Sequence, residues 1–285
     1  SVHTDIKSLP EDSNLLIWFG HSSYLLQIDG IKFLVDPVFS GNASPIPGSV
    51  KAFEGSNTYR VEDMPDVDYI LISHDHYDHL DYESITALKP KVKKVICGLG
   101  VGAHFESWGY PPENIIETDW WETINIENGF TIKTAPTRHF SGRKFKRNTT
   151  LWQSYALQTP SLKIYIGGDS GYDTHFTEIG KKYGPFDLAI LENGQYNKAW
   201  EAIHMLPEQL LMAAQDLKTA RIFPVHSSKF ALAMHPWDEP LSEVTRLNKD
   251  YNFPLVTPRI GEIVYLNNTY QIFDKWWETV EKKED

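Results

Sequence analysis

The sequence predicts a mixed α/β fold made of stacked layers. Short runs of β-branched and aromatic residues, which are typical of buried strands, alternate along the chain with single segments of helical periodicity. The dipeptides Asp29-Gly30 and Asn128-Gly129 each join two strand-like runs, and both favour the tight turn of an antiparallel hairpin. Because hairpins are interleaved with single helices, we expect layered sheets and not a simple dinucleotide-binding order.

The individual elements follow from the same patterns. Strands are predicted at Leu15–Phe19, Tyr24–Ile28, Ile31–Val35, Tyr69–Ile72, Val95–Cys97, Thr131–Thr134, Ser154–Leu157, Lys163–Ile166, Leu188–Leu191, Ile222–Val225 and Ile263–Leu266. Helices are predicted at Tyr82–Leu88, Val101–Trp108, Thr174–Tyr183, Pro207–Leu217 and Leu241–Lys249. Pro207 followed by Glu208 matches the preference for proline and an acidic residue in the first turn of a helix. The Gly/Pro/Ser-rich stretch Ser40–Arg60 predicts a long loop, either a functional lid or a surface excursion.

The composition indicates one folded domain over residues 1–285. Hydrophobic residues make up 41% and aromatic residues 13% of the chain, enough for a substantial core, and no linker interrupts the pattern. The net charge of −11 argues against nucleic acid as a partner, because phosphate recognition needs a basic surface. The single cysteine, Cys97, excludes an internal disulfide and a zinc site made of several thiolates.

The hydrophobic pattern contains no membrane-spanning segment. No apolar run approaches the ~20 residues that a span requires, and no apolar signal segment follows Ser1. We therefore expect a cytoplasmic location, while peripheral contact with a membrane surface stays open.

The most informative stretch is the cluster of histidines and aspartates at His74–His79. It directly follows the apolar run Tyr69–Ile72 and Ser73, and it holds three imidazoles and two carboxylates within six residues. In an extended chain, side chains two positions apart point to the same side, so His74 and His76 are expected to face one site. Neutral imidazole and carboxylate are ligands that suit zinc and its first-row neighbours.

Three further metal-competent residues share this context. His139, Asp169 and His226 each follow a predicted strand, as the cluster at His74–His79 does. Active sites tend to assemble where strands end at one edge of a sheet. Together these residues provide two sets of imidazoles and a carboxylate able to bridge, which is the inventory of a two-metal hydrolase. Two divalent ions are therefore predicted, with zinc favoured and manganese, iron or nickel also compatible with such ligands.

The order His-x-His-x-Asp-His at His74–His79, followed by His139, Asp169 and His226, resembles the metallo-β-lactamase superfamily. The resemblance implies a four-layer αββα sandwich with two metals at one edge of the paired sheets. It also implies a set of ligands for each metal. These would be His74, His76 and His139 for one metal, Asp78, His79 and His226 for the other, and Asp169 as the bridge.

A narrower resemblance extends from about Leu15 to about Pro240. Its segments look like those of N-acyl-phosphatidylethanolamine-hydrolysing phospholipases D, and they are Trp18–Ser23, Asp36–Ser40, Leu80–Tyr82, Asp119–Glu122, Gly168–Tyr172, Gly184–Leu188 and His204–Glu208. The chain departs from that family at Glu192–Tyr196, where members carry Gly-Ala-Tyr-like residues, and at Ser227–Lys229, where they carry Trp-Gly-Thr. The resemblance implies a lipid or other small-molecule phosphodiester as substrate and is consistent with a homodimer.

The predicted reaction is hydrolysis of a phosphodiester by a hydroxide that bridges the metals. Asp78 and Asp169 take part as metal-binding carboxylates. His204 is the candidate catalytic residue near the substrate, because its position matches the family segment and lies just before a helix. His21 is expected to orient a ligand through a hydrogen bond.

Other polar residues near these motifs have two interpretations. Arg138 and Lys229 are either phosphate partners or members of surface ion pairs. His235 either borders the entrance of the site or has a structural role. Asp75, which lies between two predicted ligands, is expected to point away from them on the pleat.

Two other functions are open at this point. A lactonase or another carboxylic ester hydrolase would share the metal motif and the opening Gly20-His21 segment. The di-iron, oxygen-reducing branch of the same fold is an oxidoreductase, but it resembles this chain less closely. That branch places a glutamate where this chain has His76 and usually carries an attached flavin domain. We therefore favour a hydrolase.

Overall fold

The computed structural model describes residues 1–143 and 146–280. Within them, the first β-sheet consists of β1 (Leu15–Trp18), β2 (Tyr24–Ile28), β3 (Ile31–Val35), β4 (Val67–Leu71), β5 (Val92–Gly98), β6 (Ile115–Thr118) and β13 (Ile263–Tyr265). The second consists of β7 (Thr123–Asn125), β8 (Thr131–Ala135), β9 (Ser154–Gln158), β10 (Lys163–Ile166), β11 (Leu188–Glu192) and β12 (Ile222–Val225). The α-helices are α1 (Tyr82–Leu88), α2 (Gly102–Ser107), α3 (His175–Lys182), α4 (Pro207–Leu217) and α5 (Glu239–Leu247).

Both sheets combine antiparallel and parallel strands. The strand order is β13-β1-β2-β3-β4-β5-β6 in the first sheet and β12-β11-β10-β9-β8-β7 in the second. Strands β3 to β6 run parallel to one another, as do β10 to β12. Parallel neighbours end at the same edge of a sheet, so the residues that follow them are brought close together.

The core between the sheets follows from the alternation of side chains along each strand. Leu16 and Trp18 of β1 belong to the same buried cluster as Ile164 of β10, which lies in the opposite sheet. Leu15 and Ile17, one position along the pleat, belong instead to the cluster on the other face. Both faces of β1 are therefore buried, one against a sheet and one against helices.

The helices cover the two outer faces of the sheets. Ile85 of α1 and Phe105 of α2 pack on the first sheet, whereas Phe176 of α3, Leu210 of α4 and Val244 of α5 pack on the second. The resulting order is helix, sheet, sheet, helix, which confirms the predicted αββα sandwich. None of the helices within residues 1–143 and 146–280 is long and apolar enough to cross a membrane.

The predicted strands and helices are all present, and their ends differ from prediction by no more than three residues. Strands β6 and β7 were not predicted. Both are short and lie at sheet edges, and most of their side chains are partly or fully exposed. Strands with so few buried residues leave little hydrophobic pattern in the sequence.

The two predicted hairpins are confirmed by backbone geometry. Asp29 and Gly30 have φ of 47° and 81°, and they connect the paired residues Ile28 and Ile31 of β2 and β3. Positive φ at both central residues defines the tight turn that matches the twist of two antiparallel strands. Asn128-Gly129 also has positive φ at both positions and lies between the antiparallel strands β7 and β8.

Candidate metal centre

A group of histidines and acids lies where the parallel strands of the two sheets end. His74 follows β4, Asp169 follows β10 and His226 follows β12. Gly168 has φ of +62°, and a Cβ atom there would lie 2.7 Å from the Cβ atom of Ser73. Glycine at this position therefore lets the loop after β10 approach the loop after β4.

The first group of candidate ligands consists of His74, His76 and His139. His76 Nδ1 lies 2.9 Å from His74 Nε2 and 3.2 Å from His139 Nε2. His74 and His139 are buried and His76 is partly buried. One nitrogen from each of the three rings lies within 4.8 Å of the other two, and such a set can hold one metal ion.

The second group contains Asp78, His79 and His226, and it also includes His21. Asp78 Oδ2 lies 2.8 Å from His21 Nε2, and it lies 3.3 and 3.4 Å from the Nε2 atoms of His79 and His226. His21 therefore makes the predicted hydrogen bond to a candidate ligand. Its own Nε2 is also close enough to the other atoms to share an ion, so the group has four candidate ligands. Burial lowers the pKa of His21 to about 3, which leaves its ring neutral.

Asp169 lies between the two groups. Its Oδ2 atom is 3.9 Å from His74 Nε2 and 3.8 Å from His139 Nε2. The same oxygen is 3.2 Å from His79 Nε2 and 3.1 Å from His226 Nε2. One carboxylate oxygen thus faces both sets of imidazoles.

The donor set fits divalent metal ions. Burial holds the pKa of His74 and His139 well below its usual range, so both rings are neutral and can donate a lone pair. Burial favours the neutral form of Asp169, but the His226 and His79 rings outweigh burial and lower the pKa of the carboxyl. Asp169 in turn outweighs the burial of these two rings and raises the pKa of both, that of His226 to about 10, so they release a proton when a metal ion binds. Asp169 Oδ1 and His79 Nε2 are buried without a hydrogen-bond partner in the described part of the chain. Because such atoms cost free energy, a cation among them is expected to satisfy them.

Two of the histidine rings are held from behind by Asp36 and Ser73. Asp36 accepts hydrogen bonds from the Ser73 backbone N–H at 2.8 Å and from Ser73 Oγ at 2.6 Å. Asp36 Oδ2 also lies 2.8 Å from His79 Nδ1, and Ser73 Oγ lies 2.9 Å from His74 Nδ1. Oxygen acceptors hold the Nδ1 protons of both rings, so Nε2 of each ring faces the centre.

Backbone carbonyls hold the rings of His139 and His226, which lie on the side of the second sheet. His139 Nδ1 donates to the carbonyl oxygen of Ile203 at 3.0 Å, and His226 Nδ1 donates to that of Gly194 at 3.3 Å. Both rings therefore also present Nε2 to the centre.

His204, the predicted catalytic residue, lies beside the centre. Its Nδ1 is 4.0 Å from Asp169 Oδ2 and 2.9 Å from Glu192 Oε2. Burial lowers the pKa of His204, but the Glu192 carboxylate outweighs burial and leaves the pKa above its usual value. The ring is 12% exposed and packs edge-on against His139 with centroids 5.1 Å apart.

The sequence-based site missed three residues, namely Asp36, Ser73 and Glu192. All three lie at or just beyond the carboxyl end of a central strand, Asp36 after β3, Ser73 after β4 and Glu192 at the end of β11. That position was the available signal, since the predicted ligands share it. A single aspartate or glutamate at a strand end is too common in proteins to identify a site alone.

The two candidate phosphate-binding cations have other partners. Arg138 donates to the backbone oxygen of Tyr172 at 3.3 Å and lies 3.4 Å from Asp173, so it belongs to a surface ion pair. Lys229 belongs to neither predicted class. It is 1% exposed, and its Nζ donates to the backbone oxygens of Phe19 and Val38 at 3.1 and 2.8 Å. These carbonyl oxygens and the rings of Phe39 and Phe230, with centroids 5.9 and 5.7 Å from Nζ, replace its water shell, and burial lowers its pKa to about 7.

Asp75 and His235 do not join the groups of candidate ligands. Asp75 accepts a hydrogen bond from the Gly142 backbone at 2.8 Å, which confirms that it points away from its histidine neighbours. His235 accepts one from the backbone of Gln195 at 2.8 Å and stacks on Tyr196 with centroids 4.6 Å apart. These contacts give His235 a role in holding the segment that follows β11.

The chain was compared with known protein families. Residues 32–227 match the family described as Beta-lactamase superfamily domain. This segment contains both histidine groups except His21, together with Asp169, Glu192 and His204. The chain belongs to the metallo-β-lactamase superfamily of metal-dependent hydrolases. The predicted superfamily is thereby confirmed.

Several relatives of this metallo-β-lactamase superfamily protein cover most of its length. An uncharacterised protein of Mycobacterium tuberculosis is 40% identical over 264 residues, which span 91% of this chain and 70% of that protein. The N-acyl-phosphatidylethanolamine-hydrolyzing phospholipase D 1 of Caenorhabditis elegans is 31% identical over 271 residues, 86% of this chain and 74% of that enzyme. Among solved structures, Igni18, a metallo hydrolase from Ignicoccus hospitalis, aligns with a TM-score of 0.68 and 20% identity. The alignment covers 88% of this chain and 97% of Igni18, and it shows the shared fold.

Proposed function

We propose that this protein is a binuclear metal-dependent phosphodiesterase of the phospholipase D type, with zinc as the metal. The proposed ligands are His74, His76 and His139 for one ion, Asp78, His79 and His226 for the other, and Asp169 between them. The position of Asp169 carries the proposal, because its Oδ2 atom lies within 3.9 Å of imidazole nitrogens from both groups. Two ions about 3.5–4 Å apart are typical of enzymes that hydrolyse phosphate esters.

Two observations favour a phosphodiester over a carboxylic ester. The Caenorhabditis elegans relative is named as a phospholipase D, which cleaves a phosphodiester bond. In addition, the guanidinium carbon of Arg147 lies 5.0 Å from the centre of the Phe140 ring, and that ring packs against His76 with centroids 4.6 Å apart. An exposed arginine beside the centre favours a substrate with anionic phosphate oxygens.

The residues of this chain suit the hydrolysis of such a diester. When bound, two divalent ions lower the pKa of a coordinated water from about 15.7 to about 7 and polarise the phosphoryl group. In the overall reaction the water oxygen bonds to phosphorus, the P–O bond to the alcohol breaks, and the alcohol oxygen takes a proton. His204 Nε2 is our proposed donor to that oxygen. Arg147 would hold a non-bridging phosphate oxygen and orient the diester.

Hydrolysis of bis-p-nitrophenyl phosphate by the zinc-loaded protein tests this function. We expect two zinc ions per chain and hydrolysis that a chelator stops. Asp169→Ala and His139→Ala should reduce hydrolysis to background, because each removes a proposed ligand. His3→Ala and Asp66→Ala, which change exposed residues of the same types, should leave it unchanged. Full activity in Asp169→Ala would exclude the proposed site.

The same protein distinguishes the two alternative reactions. We expect slower cleavage of a lactone than of the phosphodiester, and no oxygen consumption by an iron-loaded sample. A lactone cleaved faster than any phosphodiester would assign the protein to carboxylic ester hydrolysis. Oxygen consumption would assign it to the oxidoreductase branch.

A further inference from the structure

Glu192 is a buried carboxylate that the proposed ligand sets leave unused. It is the last residue of β11 and is 1% exposed. Its Oε1 accepts a hydrogen bond from the Met205 backbone N–H at 2.6 Å, and its Oε2 lies 2.9 Å from His204 Nδ1. Oε2 is also 3.7 Å from His226 Nδ1. Glu192 therefore contacts a proposed metal ligand on one side and the proposed catalytic histidine on the other.

The two oxygens of Glu192 hold the turn that leads into α4. Burying a carboxylate costs free energy unless hydrogen bonds and a compensating charge are present. Here the partners are two adjacent residues, the backbone of Met205 and the ring of His204. The Met205 main chain and the His204 imidazole are therefore both fixed to the end of β11, which lies beside the metal centre.

The contact also determines which nitrogen of His204 is available. Glu192 Oε2 accepts from Nδ1–H, so Nε2 faces away from the carboxylate. In the proposed step the ring donates as an imidazolium, giving the Nε2 proton to the alcohol oxygen and keeping the Nδ1 proton. The ring stacks on His226 with centroids 5.4 Å apart and planes at 20°. Within residues 1–143 and 146–280, Nε2 makes no hydrogen bond to another residue, and the side chain is 12% exposed, so Nε2 is free to contact a substrate.

We infer that Glu192 is a positioning residue, which holds His204 with Nε2 directed at the departing alcohol oxygen. The inference rests on the proposed function. A carboxylate needed only for folding would support the Met205 backbone through one oxygen. The second oxygen of Glu192 accepts a hydrogen bond from the His204 ring, and this contact links Glu192 to the reaction.

Glu192→Gln tests the inference with little change in shape. Glutamine has one acceptor oxygen and one NH2 group, so it cannot accept from both Met205 N–H and His204 Nδ1–H. In the zinc-loaded enzyme we expect kcat to fall roughly 100-fold, as for His204→Ala, with KM within about twofold of wild type. The double variant should be no slower than His204→Ala alone, and Glu192→Asp should recover part of the loss.

A matched control and two readouts separate this role from others. Glu208→Gln makes the same change at an exposed glutamate in the first turn of α4 and should keep wild-type kinetics. Zinc content should stay at the wild-type value in Glu192→Gln. In the ¹⁵N spectrum of histidine-labelled zinc protein, we expect the Nδ1–H signal of His204, assigned by its loss in His204→Ala, to change in Glu192→Gln only.

Three outcomes would overturn the inference, and they differ from failure of the proposed function. Loss of zinc in Glu192→Gln would make Glu192 a ligand. Wild-type kcat in either Glu192→Gln or His204→Ala would remove the link to the reaction. An unchanged His204 signal in Glu192→Gln would show that the ring does not depend on the carboxylate. If wild type fails to cleave phosphodiesters while that signal changes as expected, the proposed function is wrong and the positioning of His204 stands.

Discussion

The two sides of the metal centre are built in different ways. On the side of the first sheet, the candidate ligands His74, His76, Asp78 and His79 come from one loop after β4. On the side of the second sheet, the residues come from four connections. His139 follows β8, Asp169 follows β10, His226 follows β12, and Glu192 ends β11 while His204 lies in the connection after it. A single loop places its ligands through local backbone geometry, whereas the second side depends on the register of several strands.

The supports of the two sides differ as well. Side chains, Asp36 and Ser73, hold the rings of the first side. Backbone carbonyls of Ile203 and Gly194 hold His139 and His226 of the second side. Point substitutions can therefore remove the support of the first side directly, whereas His139 and His226 are held by the main chain. His204, which the Glu192 side chain holds, is the exception on the second side.

Asp36→Asn is expected to give the largest effect on the centre among the changes that spare the ligands. Asparagine cannot replace both acceptor oxygens, so the hydrogen bonds to Ser73 and His79 cannot all form. Loss of such a support typically lowers metal affinity about 10- to 100-fold. Competition with a chromophoric chelator measures the zinc affinity.

Asp68→Asn is the matched control for Asp36→Asn. Asp68 lies in β4 of the same sheet and accepts hydrogen bonds from the Lys32 backbone and the Lys93 side chain. We expect Asp68→Asn to keep wild-type zinc affinity even if it unfolds at a lower denaturant concentration than wild type. Equal zinc affinities in the two variants would mean that Asp36 does not support the first side.

Arg147→Gln should have an intermediate effect, limited to substrate binding. Arg147 stands over Phe140 beside the first side, whereas Arg138 is paired with Asp173. We expect KM for an anionic phosphodiester to rise about tenfold in Arg147→Gln, equivalent to about 1.4 kcal/mol of binding free energy. Steady-state kinetics of Arg138→Gln should show a KM close to wild type. The reverse ranking would move phosphate binding to Arg138.

Lys229→Met should have the smallest effect on catalysis but a clear effect on stability. Lys229 ties the two sides together, because it follows β12 and donates to carbonyl oxygens of Phe19 and Val38. Its pKa is about 7 in the folded protein because of burial, and a lysine in an unfolded chain has a pKa of about 10.4. Between these pH values the unfolded chain binds a proton that the folded protein does not. The free energy of unfolding should therefore rise from about pH 7 to about pH 10 by up to about 1.4 kcal/mol per pH unit.

Urea unfolding of wild type and Lys229→Met at several pH values between 7 and 10 measures this contribution. We expect wild type to gain stability relative to the variant as the pH rises, because methionine has no proton to lose. Stability curves that stay parallel would show that Lys229 is not held at a lowered pKa.

Much of the architecture was predictable because local patterns report burial directly. Continuous apolar runs such as Leu15–Phe19 identify strands that are buried on both faces, and Asp29-Gly30 identifies a hairpin. Strands β6 and β7 escaped because they are short and largely exposed. The burial of Lys229 was not predicted for a related reason, since nothing in its local sequence shows which carbonyl oxygens will surround it.

The sequence by itself determined the layered fold and the inventory of metal-competent side chains at strand ends. Only the tertiary structure decided which atoms meet. Asp78 and His226 are 148 positions apart, yet Asp78 Oδ2 and His226 Nε2 lie 3.4 Å from each other. The placement of Asp169 Oδ2 between two histidine groups, and of Glu192 behind His204, depends on the packing of two sheets. Residue identities are local properties, whereas the convergence of donor atoms is set by contacts between strands far apart in the chain.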